Sequence, residues 1–295
     1  MIGQLLLWLW LVGLSIITAW AYWLVPDSSV ASNWQGLVYV LAPLTAVITG
    51  VIAVRQFSMR SPQGRALAML VLGVAAWCVG ELLWTYYDLI AHIDPYPSLA
   101  DVFYLVAYLP LAAGLILEIK FLRSQVTTQK ASMQHFLLGV IALLLMGVGT
   151  YFGVYKAYNP AVNVLENVVA ISYGLADVAL VMFSLSIAVV AVEMRGGKLA
   201  RPWWWLLVGF ICIFVADIAF AMFNTQYELQ QGHYKSVLDS LWILGYLAIA
   251  YGFHHYAWLI QSVQQYLEDA AGRMPRGNAL EQTKPVQRQR NSHRR

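Results

Sequence analysis

A chain of 295 residues that is 60% hydrophobic and 11% charged, with a mean hydropathy of +0.62, carries more apolar surface than a soluble domain of this length can bury, so its class is an all-α integral membrane protein. The net charge of +3 collects in short linkers and at the C-terminus, which suits anionic lipid headgroups and argues against nucleic acid as a partner. Cys78 and Cys212 both fall inside apolar runs and read as small packing residues, not as a disulfide or metal pair.

Eight apolar runs, each about the 20 residues needed to cross roughly 30 Å of hydrocarbon, occur near 5–25, 36–54, 66–88, 99–119, 134–154, 168–192, 203–223 and 237–260. The first lacks a basic leader and an Ala-x-Ala exit, and is expected to be retained as a helix. With the N-terminus inside, sixteen basic residues fall on inner segments and only Lys156 and Lys235 on outer loops. That asymmetry predicts cytoplasmic N- and C-termini in a prokaryotic cytoplasmic membrane. The linkers 58–64 and 194–198 read as tight turns, and the polar, basic stretch 263–295 is expected to be a disordered cytoplasmic tail.

The first half echoes in the second about 136 residues later. Glu81 and Trp84 are matched by Asp217 and Phe220; Ser98, Asp101, Tyr104, Tyr108 and Gly114 by Ser236, Asp239, Trp242, Tyr246 and Gly252; and Met59-Arg60 by Met194-Arg195. Two parallel four-helix repeats are expected, 1–125 and 126–262, related by an axis near the membrane normal.

Acids inside such helices carry the chemistry, because an ionised carboxylate in hydrocarbon is unfavourable by a few kcal/mol, ~3 for Asp, unless compensated. Spacings of i, i+3 and i+7 put Glu81, Trp84 and Asp88 on one face, with Asp217, Phe220 and Asn224 as the counterpart. Glu81 and Asp217 read equally as interhelical hydrogen-bonding groups or as a functional site. Asp101, Tyr104, Tyr108 and Asp239, Trp242, Tyr246 repeat the spacing. Here Ser98-x-x-Asp101 and Ser236-x-x-Asp239 have the form of capping boxes, with a shared polar site as the alternative. Aromatic faces beside carboxylates suit a cationic or amphipathic ligand.

Asp177 has no acidic counterpart and is expected to pair with a Tyr or Ser of a neighbouring helix. His254-His255 lack partners at metal- or haem-ligand spacing, and His92 and His233 read as incidental loop residues. No G-x-S-x-G, H-E-x-x-H or P-loop occurs, and no lysine is expected in the last helix to carry a retinal, so neither an enzymatic activity nor a cofactor is expected.

Gly80-Glu81-Leu82-Leu83-Trp84, Pro97-Ser98-Leu99-Ala100-Asp101-Val102-Phe103-Tyr104-Leu105 and Leu238-Asp239-Ser240-Leu241-Trp242-Ile243-Leu244-Gly245-Tyr246 resemble a multi-helix membrane input module that stands ahead of PAS, histidine-kinase or GGDEF-type diguanylate cyclase domains in bacteria and archaea. The resemblance runs from about 35 to 260 and marks Glu81, Trp84, Ser98, Asp101, Asp217, Ser236, Asp239, Trp242 and Tyr246. It implies a sensor, here without an output domain, that signals through a cytoplasmic partner or the basic tail. The sequence thus favours a stand-alone sensory or regulatory module with a polar-aromatic site near the outer leaflet, open to a small molecule or to protonation. A transporter or channel would need a water path inward, which the uniformly apolar inner halves disfavour; a structural or assembly subunit of a membrane complex would tie up the acids without a pocket.

Overall fold

A computed structural model describes residues 2–25, 29–125, 133–193 and 200–273. The Met194-Arg195 echo, the 194–198 linker and the chain beyond 273 lie outside the described residues. Among those described, the fold is helical throughout with no strand, and eight helices are long and apolar enough to cross a membrane. The protein is an integral, multi-pass membrane protein.

The helices are α1 (Ile2–Ala19), α2 (Ser29–Val54), α3 (Pro62–Tyr86), α4 (Leu99–Gln125), α5 (Met133–Thr150), α6 (Val164–Glu193), α7 (Arg201–Glu228) and α8 (Tyr234–Arg273). Their starts follow local chemistry. Ser61 caps α3 by accepting from Gly64 N at 3.0 Å, with Pro62 at the first helical position, where its missing N–H costs nothing. In α7, Pro202 stands at the second helical position, where its N–H is likewise not needed, and no side chain caps the start. Helices α1, α3 and α5 finish in π-helical turns, 20–24, 87–91 and 151–156, and α7 is kinked at Phe223 (φ −128°, ψ 23°). These irregularities gather at the end of the bundle that bears the α3–α4 and α7–α8 connections, called the loop end below. There His92 and Gln230 take left-handed backbone (φ 51° and 49°), turning the chain out of α3 and α7.

Two expectations about α8 need correcting. It begins at Tyr234, so Lys235 stands in its first turn and the last helix does contain a lysine. It also continues to Arg273, past residue 263 where a disordered tail was expected, because 263–271 is rich in helix formers and holds neither Gly nor Pro. From Trp258 onward the chain forms a unit of its own, helical to Arg273.

Within residues 1–257, α3 and α8 are the most buried helices and α5 the least, with α1, α5 and much of α2 presenting Leu, Ile, Val and Trp outward, as lipid-facing helices do. Helix α3 packs most closely on α4, α2 also lies against α3, and α6 bridges α4 and α7. Close approach is set by glycines, the usual device where lipid removes the hydrophobic drive between helices. A Cβ on Gly73 would stand 2.9 Å from the Ala107 carbonyl oxygen, and one on Gly114 would stand 2.7 Å from that of Ala66, locking α3 to α4. A Cβ on Gly209 would stand 2.7 Å from the Gly245 carbonyl oxygen, and one on Gly252 would stand 3.0 Å from that of Pro202, locking α7 to α8.

Candidate functional site

At the loop-end third of α3, Glu81 is 2% exposed and both of its carboxylate oxygens are occupied: Tyr104 of α4 donates to Oε2 and Tyr246 of α8 to Oε1, each at 2.7 Å. On α7, the Trp242 indole N–H of α8 donates to Asp217 Oδ1 at 2.6 Å, and the Tyr108 hydroxyl of α4 approaches Oδ2 at 3.4 Å. Among the described residues no Lys or Arg neutralises either acid; phenol and indole donors, each supplied by a facing helix, compensate instead.

Asp177 of α6, expected to pair with a Tyr or Ser, accepts a short hydrogen bond from Tyr108. The structure adds what its sequence position did not suggest. The Tyr108 hydroxyl reaches both Asp177 and Asp217, and Asp177 Oδ2 has no donor among the described residues.

Asp101 and Asp239 part company. Asp101 accepts from Ser98 N at 2.6 Å while Ser98 Oγ accepts from Ala100 N at 3.1 Å, a reach-back cap at the start of α4; its other oxygen accepts from Tyr173 of α6 at 2.8 Å. It is therefore both a cap and a cavity residue. The capping reading fails for Asp239. Because α8 starts at Tyr234, Ser236 already lies inside the helix and donates to the Tyr22 carbonyl at 2.9 Å, and Asp239 accepts from Tyr227 at 2.8 Å and pairs with Lys235 at 3.5 Å.

These groups enclose a cavity of about 70 Å³. Among the residues singled out from the sequence, Glu81, Trp84, Asp101, Tyr104 and Tyr108 line it from α3 and α4, and Asp217, Phe220, Trp242 and Tyr246 from α7 and α8. Asp239 does not. Sequence reasoning missed Tyr39, Trp77, Tyr96 and Tyr173, which complete the wall. Of these, only Tyr173 left a trace, four residues before Asp177 on one face of α6.

Trp77, one turn deeper than Glu81, forms the floor, edge-on to Tyr108 and Tyr246 at 5.6 and 6.2 Å and donating to the Tyr104 carbonyl at 3.2 Å. Trp84 and Phe220 meet edge-to-face at 5.9 Å across the loop-end side. In the α3–α4 connection, burial foremost, with Asp101 and Glu166 nearby, pushes the Tyr96 phenol above its ordinary range, so it stays protonated and donates to the Glu166 carbonyl at 3.3 Å.

Toward the loop end a second, more polar cavity of about 480 Å³ shares Tyr39 and Trp84 with the first. It contains Asp88, His92, Tyr227, Lys235 and Asp239. Lys235 Nζ sits 4.8 Å from the centre of the Tyr227 ring, 3.5 Å from Asp239 and 3.9 Å from Asp88. Asn224, expected to face the same way as Asp217, lies beyond the α7 kink, accepts from Thr225 at 3.3 Å and lines neither cavity.

One acid escaped the sequence reading. Glu118, on the half of α4 expected to be uniformly apolar, continues the face of Asp101, Tyr104 and Tyr108, is 1% exposed, and has no partner for either oxygen. Lys120 and Arg123 close by made it look like a rim residue. A structurally idle buried carboxyl is a net cost, so Glu118→Met is expected to raise the thermal midpoint in detergent, by about 1–2 kcal/mol of stability. A lowered midpoint would mean that the carboxyl holds α4 in place.

Among the described residues no group of three His, Cys, Asp or Glu is arranged to hold a metal ion. Comparison with protein-family models, with curated proteins and with solved structures gives no match. Fold and composition define the class, a multi-pass α-helical membrane protein.

Proposed function

We propose that this chain is a non-enzymatic sensory or regulatory membrane module whose loop-end cavity takes a small molecule and whose response passes to a protein partner on the opposite side. The loop end is read as the outer face, from the distribution of Lys and Arg. The observation that carries the reading is the cavity at the junction of α3, α4, α7 and α8, with Glu81 and Asp217 each tied to donors on two different helices. A ligand that competes for those donors alters how four helices are held, which is the differential interaction any population shift requires.

We read the module as two parallel repeats that exchange hydrogen-bond donors. Tyr104 and Trp242 serve the acid of their own half, whereas Tyr246 serves Glu81 and Tyr108 serves Asp217 across halves. The glycine contacts support this. Gly73 against Ala107 is echoed by Gly209 against Gly245, and Gly114 against Ala66 by Gly252 against Pro202, at the 136–138-residue offset of the sequence echo.

Thermal shifts of the purified protein, screened across small solutes and pH, are expected to include a ligand- or proton-dependent rise that Glu81→Gln with Asp217→Asn abolishes. An unchanged response in that double variant sinks the site. The transporter reading rests on Glu118, a second buried acid on α4, about 25 Å from Asp101 at 1.5 Å per residue. Proteoliposome flux lost in Glu118→Gln would favour it over sensing.

A further inference from the structure

We infer that the small molecule is a compact organic ammonium, entering through the polar vestibule and held in the inner cavity by aromatic faces and carboxylates. The inference rests on the small-molecule reading above and names its ligand class.

Charge comes first. Three acids, Glu81, Asp101 and Asp217, line the inner cavity, and among the described residues no Lys, Arg or His does, so the wall has no cation of its own. Hydroxyl, indole and backbone donors reach the carboxyl oxygens from the sides, and none of these donors is a cation that would compete with an entering ammonium, whose charge favours the ionised form of the acids. The acid behind Asp217 has an oxygen with no donor, Asp177 Oδ2, at 2% residue exposure. An entering ammonium brings the positive charge that the three lining acids lack among the described residues, and a neutral guest does not.

Shape and surface come next. Ten aromatic rings surround the space, and a ring face attracts a cation most strongly where water is excluded. A bare metal ion would find few free oxygens there. An ammonium carrying methyl or methylene groups uses the rings and keeps its charge near the acids. At about 10–15 Å³ per water, the roughly 70 Å³ cavity accommodates about five non-hydrogen atoms, the size of tetramethylammonium.

The chain itself provides a precedent at the entrance. The Lys235 ammonium donates to the Tyr227 hydroxyl at 3.3 Å and stands 3.5 and 3.9 Å from Asp239 and Asp88, so the vestibule already holds a tethered alkylammonium among acids and beside an aromatic ring. Tyr39 and Trp84, common to both cavities, form the partition a free ammonium would cross.

The test compares tetramethylammonium with tert-butanol, a neutral molecule of similar size. Both are titrated into the full chain in nanodiscs of phosphatidylglycerol, reading tryptophan fluorescence, since Trp77, Trp84 and Trp242 line the cavity. Tetramethylammonium is expected to give a saturable change at concentrations at least tenfold lower than tert-butanol, and Asp217→Asn to weaken it at least tenfold. Doping the discs with phosphatidylcholine distinguishes a lipid headgroup, which would compete with tetramethylammonium, from a free ammonium, which would not meet competition.

Equal responses to the two probes overturn the ammonium class while leaving a small-molecule site. No response to either overturns it too, and the solute screen then decides separately whether any small molecule binds. Should Asp217→Asn fail to fold, the comparison of probes on the unaltered chain still decides.

Discussion

Gly73→Leu or Gly209→Leu is expected to remove most of the folded protein from a detergent extract. Each glycine lies where a neighbouring helix brings its backbone carbonyl within 2.9 Å or 2.7 Å of the site a Cβ would occupy, closer than real Cβ atoms come, and a carbonyl in a helix cannot step aside as a side chain can. Adding a Leu side chain must therefore push α3 from α4, or α7 from α8. Overpacking in a well-filled core costs about 1–3 kcal/mol when side chains absorb it, and more when backbones must part. The second effect compounds the first. Separating α3 from α4 pulls Tyr104 from Glu81, and separating α7 from α8 pulls Trp242 from Asp217, so a buried carboxyl loses one of its two donors in either case. The control is Gly147→Leu on α5, where a Cβ meets nothing within 4 Å and a melting curve close to that of the parent is expected. Size-exclusion recovery after heating reads both. A Gly73→Leu protein that melts with the parent would mean that the two helices are not in the contact described.

Tyr108→Phe is the second large effect, and the largest expected from deleting one hydroxyl. Single hydrogen bonds between membrane helices are worth about 0.6 kcal/mol on average, because the separated helices find other partners. Tyr104→Phe and Tyr173→Phe should fall near that figure, since Glu81 and Asp101 each retain a second donor. Tyr108 differs because, among the described residues, it is the one side chain that donates to Asp177, and it also approaches Asp217. Without it, neither Asp177 oxygen has a donor among the described residues, a loss of roughly 2–3 kcal/mol by the cost of stranding buried polar groups. Thermal melts of the three phenylalanine variants side by side give the ranking. If Tyr104→Phe proves the most damaging, Tyr108 is not the keystone of the acid pair.

The sequence made particular features visible for identifiable reasons. Eight spans were legible because hydrocarbon demands long apolar helices, and that demand acts on every residue of a span. The faces of Glu81 and Trp84, Tyr104 and Tyr108, and Asp217 and Phe220 were legible because helical period alone decides which residues share a face. Asp239 was misread because a capping box is a pattern of two residues, while the cap itself depends on where the helix begins; α8 begins two residues earlier than Ser236. Glu118 went unnoticed because charge near a span end looks the same in sequence whether it points to headgroups or into the bundle.

What the sequence by itself determined is the solvent of this protein and the chemistry of its faces: a helical chain for a bilayer, with acids and aromatic rings set at matching positions in its two halves. Which faces meet was decided only by the tertiary structure. Periodicity orients a side chain around its own helix but says nothing of the neighbour, and that Tyr246 reaches Glu81, Asp177 stands beside Asp217 and Trp77 lies beneath both follows from where glycines let the helices close. Carboxyls buried without basic partners are tolerable in such a place because packing brings hydroxyl and indole donors to them, and packing is a property of all the helices together.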